Sequence, residues 1–155
     1  MSSHRCILLI EDNRCDIELT QRALEKNRIA NDLVVVEDGQ DALDYLFGAG
    51  PYAQRDATDT PALALLDLKL PRVSGLEVLR RIRSDQRTRR MPVVILTTSR
   101  EERDLAAAYD GGANSYVAKP VDFHQFQQAI EHLGLYWLVI NEPPPQRGDL
   151  WRANH

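Results

Sequence analysis

The amino-acid sequence predicts an α/β protein built as a doubly wound, five-stranded parallel sheet, (βα)5. Five short apolar runs occur along the 155 residues, and a helical pattern separates each run from the next. The runs are apolar throughout rather than alternating, which is typical of parallel strands covered by helices on both faces. With 43% hydrophobic and 27% charged residues, the composition is ordinary for a globular protein.

The predicted strands are short and rich in Ile, Leu and Val. They cover residues 6–10, 33–36, 62–66, 93–97 and 115–117. Right-handed crossovers between parallel strands place the carboxyl end of every strand at the same edge of the sheet. Ligands of such folds bind at that edge, so we expect the functional side chains to come directly after the strands.

Capping residues and apolar spacing predict the helices that follow the first three strands. The first follows Asp12 and Asn13 and buries Ile17 and Leu24. The second is short, over about residues 40–47. The third opens at Ser74, which can cap it. Its apolar stripe consists of Leu76, Val78, Leu79 and Ile82.

The later connections follow the same logic. Ser99 is the predicted cap of the fourth helix, which ends at Gly111 and Gly112, and the fifth helix begins near Asp122. The loop over residues 48–61 is longer than most connections and contains Gly, Pro and small polar residues. We therefore expect it to lie on the surface.

The sequence divides into one domain and a short tail. Three consecutive prolines follow Glu142 and cannot continue a helix. We predict a domain over residues 1–141, with an extended C-terminal helix, and an extended or disordered proline-rich tail over residues 142–155.

Cysteine usage and hydropathy indicate a cytoplasmic protein. Cys6 and Cys15 are the only cysteines, which is too few for a disulfide framework. The N-terminus lacks the apolar core of a signal peptide. No apolar run approaches the roughly 20 residues of a membrane helix, so no membrane is expected as a partner.

Charge argues against nucleic acid as a partner. The formal net charge is −4, which is unfavourable for binding a polyanion. Segment 80–90 nevertheless carries six arginines and one aspartate, a local charge of +5 that leaves −9 for the rest of the chain. We interpret this segment first as a solvated helix end and loop, second as a contact for an acidic partner, and last as a nucleic-acid site, since no aromatic residues are interleaved with the arginines.

Acidic residues follow two of the predicted strands. Glu11 and Asp12 come directly after the first strand, and Asp67 comes directly after the third. If these strands are neighbours, the three carboxylates converge and repel one another, which a divalent cation or an ammonium group would relieve. An all-oxygen donor set favours a hard ion, and Mg²⁺ is the first choice.

Two further residues suit phosphoryl chemistry. Lys119 follows the fifth strand and is one of only three lysines, although the chain has sixteen arginines. Its ammonium and the hydroxyl of Thr97, at the end of the fourth strand, can stabilise an oxyanion. Asp67 can then attack a phosphoryl group and become an aspartyl phosphate.

Four motifs occur in order along the chain. They are residues 11–13, residues 66–71 with 74–75, residues 96–98 and residues 112–120. Over about residues 5–135 the chain resembles the receiver domain of two-component response regulators. The resemblance implies the flavodoxin-like strand order 2-1-3-4-5, and it implies that Asp67 accepts a phosphoryl group from a sensor histidine kinase or a phosphotransfer protein.

The resemblance also implies roles for individual residues. Asp12 would bind Mg²⁺ directly and Glu11 largely through water, while the backbone carbonyl of Lys69 would complete the protein ligands with Asp67. Lys119 would pair with the phosphoryl group. Thr97 and Tyr116 would act as the switch that alters the face formed by the fourth helix, fifth strand and fifth helix.

The C-terminal segment points to a second subunit. Residues 135–140 are apolar without interruption and would expose a large patch on a monomer. The predicted contact residues are Tyr136, Trp137, Leu138 and Ile140. Together with residues 141–144 and the long loop, this segment resembles the stand-alone response regulators that partner cyanobacterial and bacterial phytochromes. We therefore expect a homodimer whose upstream partner is a sensor histidine kinase, specifically a bacterial phytochrome.

Two other function classes are alternatives: an enzyme that gathers acidic residues at the ends of parallel strands, and a flavin-binding module. A magnesium-dependent phosphohydrolase or a nuclease-like domain expects a second aspartate two residues after Asp67, where this chain has Lys69. A flavin-binding module needs a glycine- and hydroxyl-rich phosphate loop after the first strand, where Glu11 and Asp12 would repel the phosphate. Since the receiver is a phosphoacceptor, we expect a signalling protein rather than an enzyme, with slow self-dephosphorylation.

Overall fold

The computed structural model describes residues 6–26, 32–97, 102–118 and 128. The elements in chain order are β1 (Ile7–Ile10), α1 (Arg14–Lys26), β2 (Leu33–Val36), α2 (Gly39–Phe47), a short 3-10 helix (Gly50–Tyr52), β3 (Leu63–Leu66), α3 (Gly75–Ser84), β4 (Val93–Thr97), α4 (Glu102–Asp110) and β5 (Ser115–Ala118). All strand pairs are parallel, and the order is β2-β1-β3-β4-β5. The predicted fold class and strand order are confirmed. Ser99, the fifth helix, residues 135–140 and the tail lie outside the described residues.

Two apolar cores lie on opposite faces of the sheet. Because side chains alternate along a strand, β1 sends Leu8 and Ile10 to the face covered by α2, α3 and α4, and Ile7 and Leu9 to the face covered by α1. All four side chains are at most 1% exposed. Burying each one fully stabilises the fold by about 1.5–3 kcal/mol. A strand that serves two cores must be apolar at every position, which is why β1 shows no alternation.

Side-chain caps fix where three helices begin. The Asn13 side chain accepts a hydrogen bond from the backbone N–H of Asp16 at 3.0 Å. Asp38 caps α2 in the same way through the N–H of Asp41, at 2.7 Å. Ser74, the predicted cap of α3, accepts from the N–H of Glu77 at 3.2 Å. Each cap satisfies a backbone donor that the first turn leaves open, and each is worth about 1 kcal/mol.

The loop over residues 48–61 is on the surface, as predicted, but it is tightly organised. The Arg55 guanidinium lies 4.0 Å from the centre of the Tyr45 ring and donates to the Tyr45 carbonyl at 2.7 Å. Tyr45 and Tyr52 meet edge to face, with ring centres 5.3 Å apart. Tyr45 also brings its hydroxyl to 3.4 Å from the Cys6 thiol, whose pKa is raised by burial. The loop is therefore fastened to α2 through Tyr45, and Tyr45 in turn contacts the residue that precedes β1.

Most of the arginine-rich segment 80–90 is exposed, but Arg83 departs from the predicted solvated face. Its guanidinium is partly buried and ties the end of α3 to the turn between α4 and β5. Burial lowers its pKa, yet an arginine stays charged at neutral pH. Its five hydrogen bonds run to the carbonyls of Arg89 (3.1 Å), Met91 (2.7 Å) and Gly112 (2.9 and 2.8 Å) and to Asn114 Oδ1 (3.0 Å).

None of the helices in the described ranges combines the length and the apolar character that crossing a bilayer requires.

Candidate functional site

The pairing of β1 with β3 brings the acidic residues together. Ile10 and Leu66 are partners at the ends of these parallel strands. The next residue on each strand, Glu11 and Asp67, is therefore placed side by side. The Asp67 N–H donates to the Ile10 carbonyl at 3.1 Å, and the Glu11 N–H donates to the Val36 carbonyl at 3.0 Å. The backbone ladder thus extends into the site and fixes the start of both side chains.

Glu11, Asp12 and Asp67 form one cluster. One carboxylate oxygen from each residue can be chosen so that all three lie within 4.8 Å of one another. Glu11 is only 1% exposed and Asp67 7%, whereas Asp12 is exposed. Carboxylates held this close repel one another, and burial strengthens the repulsion. An all-oxygen donor set with one open side fits a hard divalent cation such as Mg²⁺ or Mn²⁺.

Backbone amides orient two of the three carboxylates. Glu11 Oε1 accepts from the N–H of Asn13 at 3.1 Å, and Asp67 Oδ1 accepts from the N–H of Lys69 at 3.2 Å. Because Asn13 is the residue that caps α1, the cap position does not use the side chain of Asp12. The carboxylate of Asp12 is therefore available to the cluster. Taken by itself, Asp12 could equally be a helix cap, but together with Asp67, Thr97 and Lys119 the sequence favours a ligand.

The predicted hydroxyl and switch residues lie on the adjacent strands. Thr97 ends β4, which pairs with β3, and Thr97 is completely buried. Tyr116 lies on β5 opposite Ile95, partly buried against the core. Ala118 pairs with Thr97 at the end of the same ladder, and Lys119 comes next in the chain. Lys119 itself lies outside the described residues, so its predicted place beside the cluster stays a prediction.

The loop after β3 packs closely against the starts of α2 and α3, and a glycine allows each of these contacts. The sequence indicates Gly75 but not Gly39. A Cβ on Gly75 would lie 2.2 Å from the Asp67 carbonyl oxygen, so the start of α3 needs glycine there. A Cβ on Gly39, at the start of α2, would lie 1.9 Å from the Val73 carbonyl oxygen. Gly75 follows the predicted cap of its helix. Gly39 carried no comparable signal, because its contact is with a residue far away in the chain.

The same loop is held by an ion pair that the sequence does not indicate. Arg72 has a φ of 68°, an uncommon conformation for a residue with a side chain. Its guanidinium lies 3.4 Å from the carboxylate of Asp38, the cap of α2. The loop that carries Lys69 is thus joined to α2 by a backbone contact at Gly39 and by this pair.

Comparison with known families agrees with the geometry. A family model for the response regulator receiver domain matches residues 7–131. Among curated relatives, the probable methanogenesis regulatory protein FilR2 of Methanothrix harundinacea is 40% identical over 138 residues, covering 89% of this chain and 86% of that protein.

Solved structures give the same result. The phosphorylated cyanobacterial phytochrome response regulator RcpA has a TM-score of 0.84 and 39% identity, covering 92% of this chain and 100% of RcpA. The Mn²⁺-bound form of response regulator Rcp1, a Synechocystis protein, has a TM-score of 0.82 and 34% identity, covering 91% and 99%. The bacteriophytochrome response regulator AtBRR has a TM-score of 0.72 and 52% identity, covering 91% and 100%.

The matches favour the receiver interpretation over the phosphohydrolase, nuclease-like and flavin alternatives. They span most of the chain and nearly the full length of the relatives, and the strand order agrees with them. The chain therefore belongs to the response regulator receiver family, the phosphoacceptor signalling proteins of two-component systems.

Proposed function

We propose that Asp67 is the phosphoryl acceptor of this receiver and that Mg²⁺ is the ion that its acidic cluster holds. The observation that carries the proposal is the approach of Glu11, Asp12 and Asp67 to within 4.8 Å at the carboxyl edge of the sheet. In this proposal the backbone carbonyl of Lys69 is the further protein ligand. The Mn²⁺ bound to Rcp1, a protein 34% identical to this chain, supports a divalent cation at this site.

The chemistry assigned to Asp67 is nucleophilic. One carboxylate oxygen forms a bond to phosphorus while the bond between phosphorus and the donor breaks, and the donor keeps that electron pair. The N–H of Lys69 holds Oδ1 of Asp67 at 3.2 Å and so limits rotation of the nucleophile. Bound at the cluster, Mg²⁺ would neutralise the carboxylates and the charge on the transferred oxygens.

In this proposal Lys119 and Thr97 stabilise the phosphoryl group, and Thr97 and Tyr116 change position in response to it. Lys119 would pair with a phosphoryl oxygen through its ammonium, and the buried hydroxyl of Thr97 would donate to another. Tyr116 lies on the strand beside Thr97 and would change its packing when the hydroxyl moves. Slow hydrolysis of the aspartyl phosphate would then reset the protein.

Removal of the divalent cation is expected to stop phosphorylation. The protein is incubated with a small acyl phosphate and Mg²⁺, and its intact mass is measured. We expect a gain of one phosphoryl group, loss of that gain when EDTA is added, and recovery with excess Mg²⁺. Asp12→Asn removes one ligand charge and should slow the gain at least about tenfold.

Asp32→Asn is the matched control for that experiment, because Asp32 is exposed and lies at the opposite edge of the sheet, where its carbonyl meets the start of β1. It should behave as wild type. A phosphoryl gain that persists in EDTA would contradict the metal requirement.

The proposed donor is a sensor histidine kinase of the bacterial phytochrome type, acting in the cytoplasm. RcpA is described as a cyanobacterial phytochrome response regulator and AtBRR as a bacteriophytochrome response regulator, and both match this chain over at least 91% of its length. A phosphorylated bacterial phytochrome kinase is expected to transfer its label to this protein within minutes, faster than an unrelated histidine kinase does. Equal transfer rates from both kinases would count against the phytochrome partnership.

The proposed homodimer depends on residues beyond those that the structure describes. Tyr136, Trp137, Leu138 and Ile140 belong to the apolar segment predicted to meet a second subunit. Light scattering should give a dimer mass for the wild type and a smaller mass for Trp137→Ala, because buried aromatic side chains dominate such contacts. A monomer mass for both proteins would refute the dimer.

A further inference from the structure

Two arginines flank an aromatic ring at the end of α2. The guanidinium carbons of Arg81 and Arg87 lie 5.9 and 5.3 Å from the centre of the Phe47 ring. A shallow cavity of about 230 Å³ opens between them, also lined by Ser84 and Asp85. We call this surface, together with the exposed Arg89 and Arg90 that follow it along the chain, the arginine shelf. The ring holds each guanidinium in a defined place, which lowers the entropy that a bound anion has to remove.

The charges of segment 80–90 are only partly balanced. Arg80 pairs with Glu77, Arg87 pairs with Asp85 at 2.9 Å, and the hydrogen bonds of Arg83 go to carbonyl oxygens within the fold. Within the described part of the chain, Arg81, Arg89 and Arg90 make no ion pair. Three exposed guanidinium groups of this segment therefore have no carboxylate within ion-pair distance among the described residues, in a protein whose net charge is −4.

The arginine shelf lies at the edge of the sheet opposite the acidic cluster. Segment 80–90 runs from the end of α3 toward the start of β4, whereas Asp67 follows the end of β3. The parallel strands between the two edges are four or five residues long, a separation of about 13–17 Å at 3.3 Å per residue. A molecule bound at the shelf would leave Asp67 open to its phosphoryl donor.

We propose that the arginine shelf docks an acidic segment of a partner protein. The planar guanidinium group of arginine pairs with a carboxylate through two parallel hydrogen bonds. The Phe47 ring offers an apolar contact to an aliphatic side chain that lies between two such carboxylates. Three guanidinium groups are enough to pair with the carboxylates of a short acidic peptide. Tight binding of DNA uses more phosphate contacts than three arginines can make. The excess of negative charge over the rest of the chain also repels a long polyanion.

The test uses the full chain and a dye-labelled synthetic peptide in which glutamates flank one leucine. Fluorescence anisotropy measures its dissociation constant. The triple variant Arg81→Gln, Arg89→Gln, Arg90→Gln is expected to weaken binding at least about tenfold, because each lost pair removes charge-assisted hydrogen bonds. Phe47→Leu should weaken binding about threefold through loss of the ring that orients the guanidinium groups.

A second triple variant, Arg14→Gln, Arg22→Gln, Arg103→Gln, removes the same charge from exposed positions elsewhere and should leave the dissociation constant within about twofold of wild type, since distant surface charges are screened. The proposal is overturned if the wild type does not bind the peptide or if both triple variants lose affinity equally. It is also overturned if a single-stranded oligonucleotide or anionic vesicles bind at the shelf more tightly than the peptide. Acyl phosphate labelling should be unchanged in the variant Arg81→Gln, Arg89→Gln, Arg90→Gln. Labelling tests the role of Asp67 and peptide binding tests the shelf, so the two proposals can fail independently.

Discussion

Asp67→Asn is expected to abolish the phosphoryl gain completely. The asparagine amide keeps the oxygen that accepts from the N–H of Lys69 but has no charged oxygen with which to attack phosphorus. Intact-mass measurement after incubation with an acyl phosphate and Mg²⁺ should show only the unmodified chain. Asp32→Asn, at the other edge of the sheet, should still gain one phosphoryl group.

Although Asp67→Asn should lose all labelling, it is not expected to lose stability. In the absence of metal, Asp67→Asn removes one of three mutually repelling charges, so the free energy of unfolding should stay equal or rise by up to about 1 kcal/mol. Loss of labelling with retained stability separates a chemical role from a folding defect. Labelling of Asp67→Asn at the wild-type rate would place the acceptor elsewhere.

Arg83→Met should lower the free energy of unfolding by about 3 kcal/mol, measured by urea denaturation. Methionine preserves the aliphatic packing, but five hydrogen bonds disappear: three that join the end of α3 to the turn before β5, and two to the carbonyls of Arg89 and Met91 before β4. A hydrogen bond from a charged donor contributes about 1.5–3 kcal/mol to the free energy of unfolding, and the total for several bonds is smaller than their sum because they share one side chain and water reaches part of the site.

Two further variants make this prediction specific to the hydrogen-bond network. Arg90→Met removes an exposed arginine from the same segment and should change the free energy of unfolding by no more than about 0.5 kcal/mol. Arg83→Lys keeps the charge without the planar fork, so an intermediate loss is expected. Equal losses for Arg83→Met and Arg90→Met would mean that the network contributes nothing.

The sheet and the acidic cluster could be predicted from local features. The carboxyl ends of parallel strands share one edge, so acids that directly follow β1 and β3 had to be close once those strands were neighbours. The neighbour relation itself came from the family resemblance, since apolar strands of similar composition do not encode their order. The cap of α1 could not be decided because Asp12 and Asn13 are equally good capping residue types.

Contacts between distant parts of the chain were beyond the sequence. Nothing near Gly39 reveals that Val73 lies against it, because tertiary packing alone creates that contact. The position of Arg83 in the sequence does indicate that it is partly buried. It lies one helical turn after Leu79, on the apolar stripe of α3, where an arginine must bury part of its length. The other five arginines of segment 80–90 favour the interpretation that the whole segment is solvated, Arg83 included.

The position of β1 between the two apolar cores makes local unfolding of this strand unfavourable. β1 pairs with both β2 and β3 and contributes side chains to both faces of the sheet. Opening β1 to solvent requires both cores to separate, so its amides belong to the last unit to exchange with water. Glu11 is attached directly to this strand. Glu11 and the adjoining Asp12 are therefore anchored to a part of the molecule that cannot easily relax away from Asp67, which keeps the cluster ready for a cation.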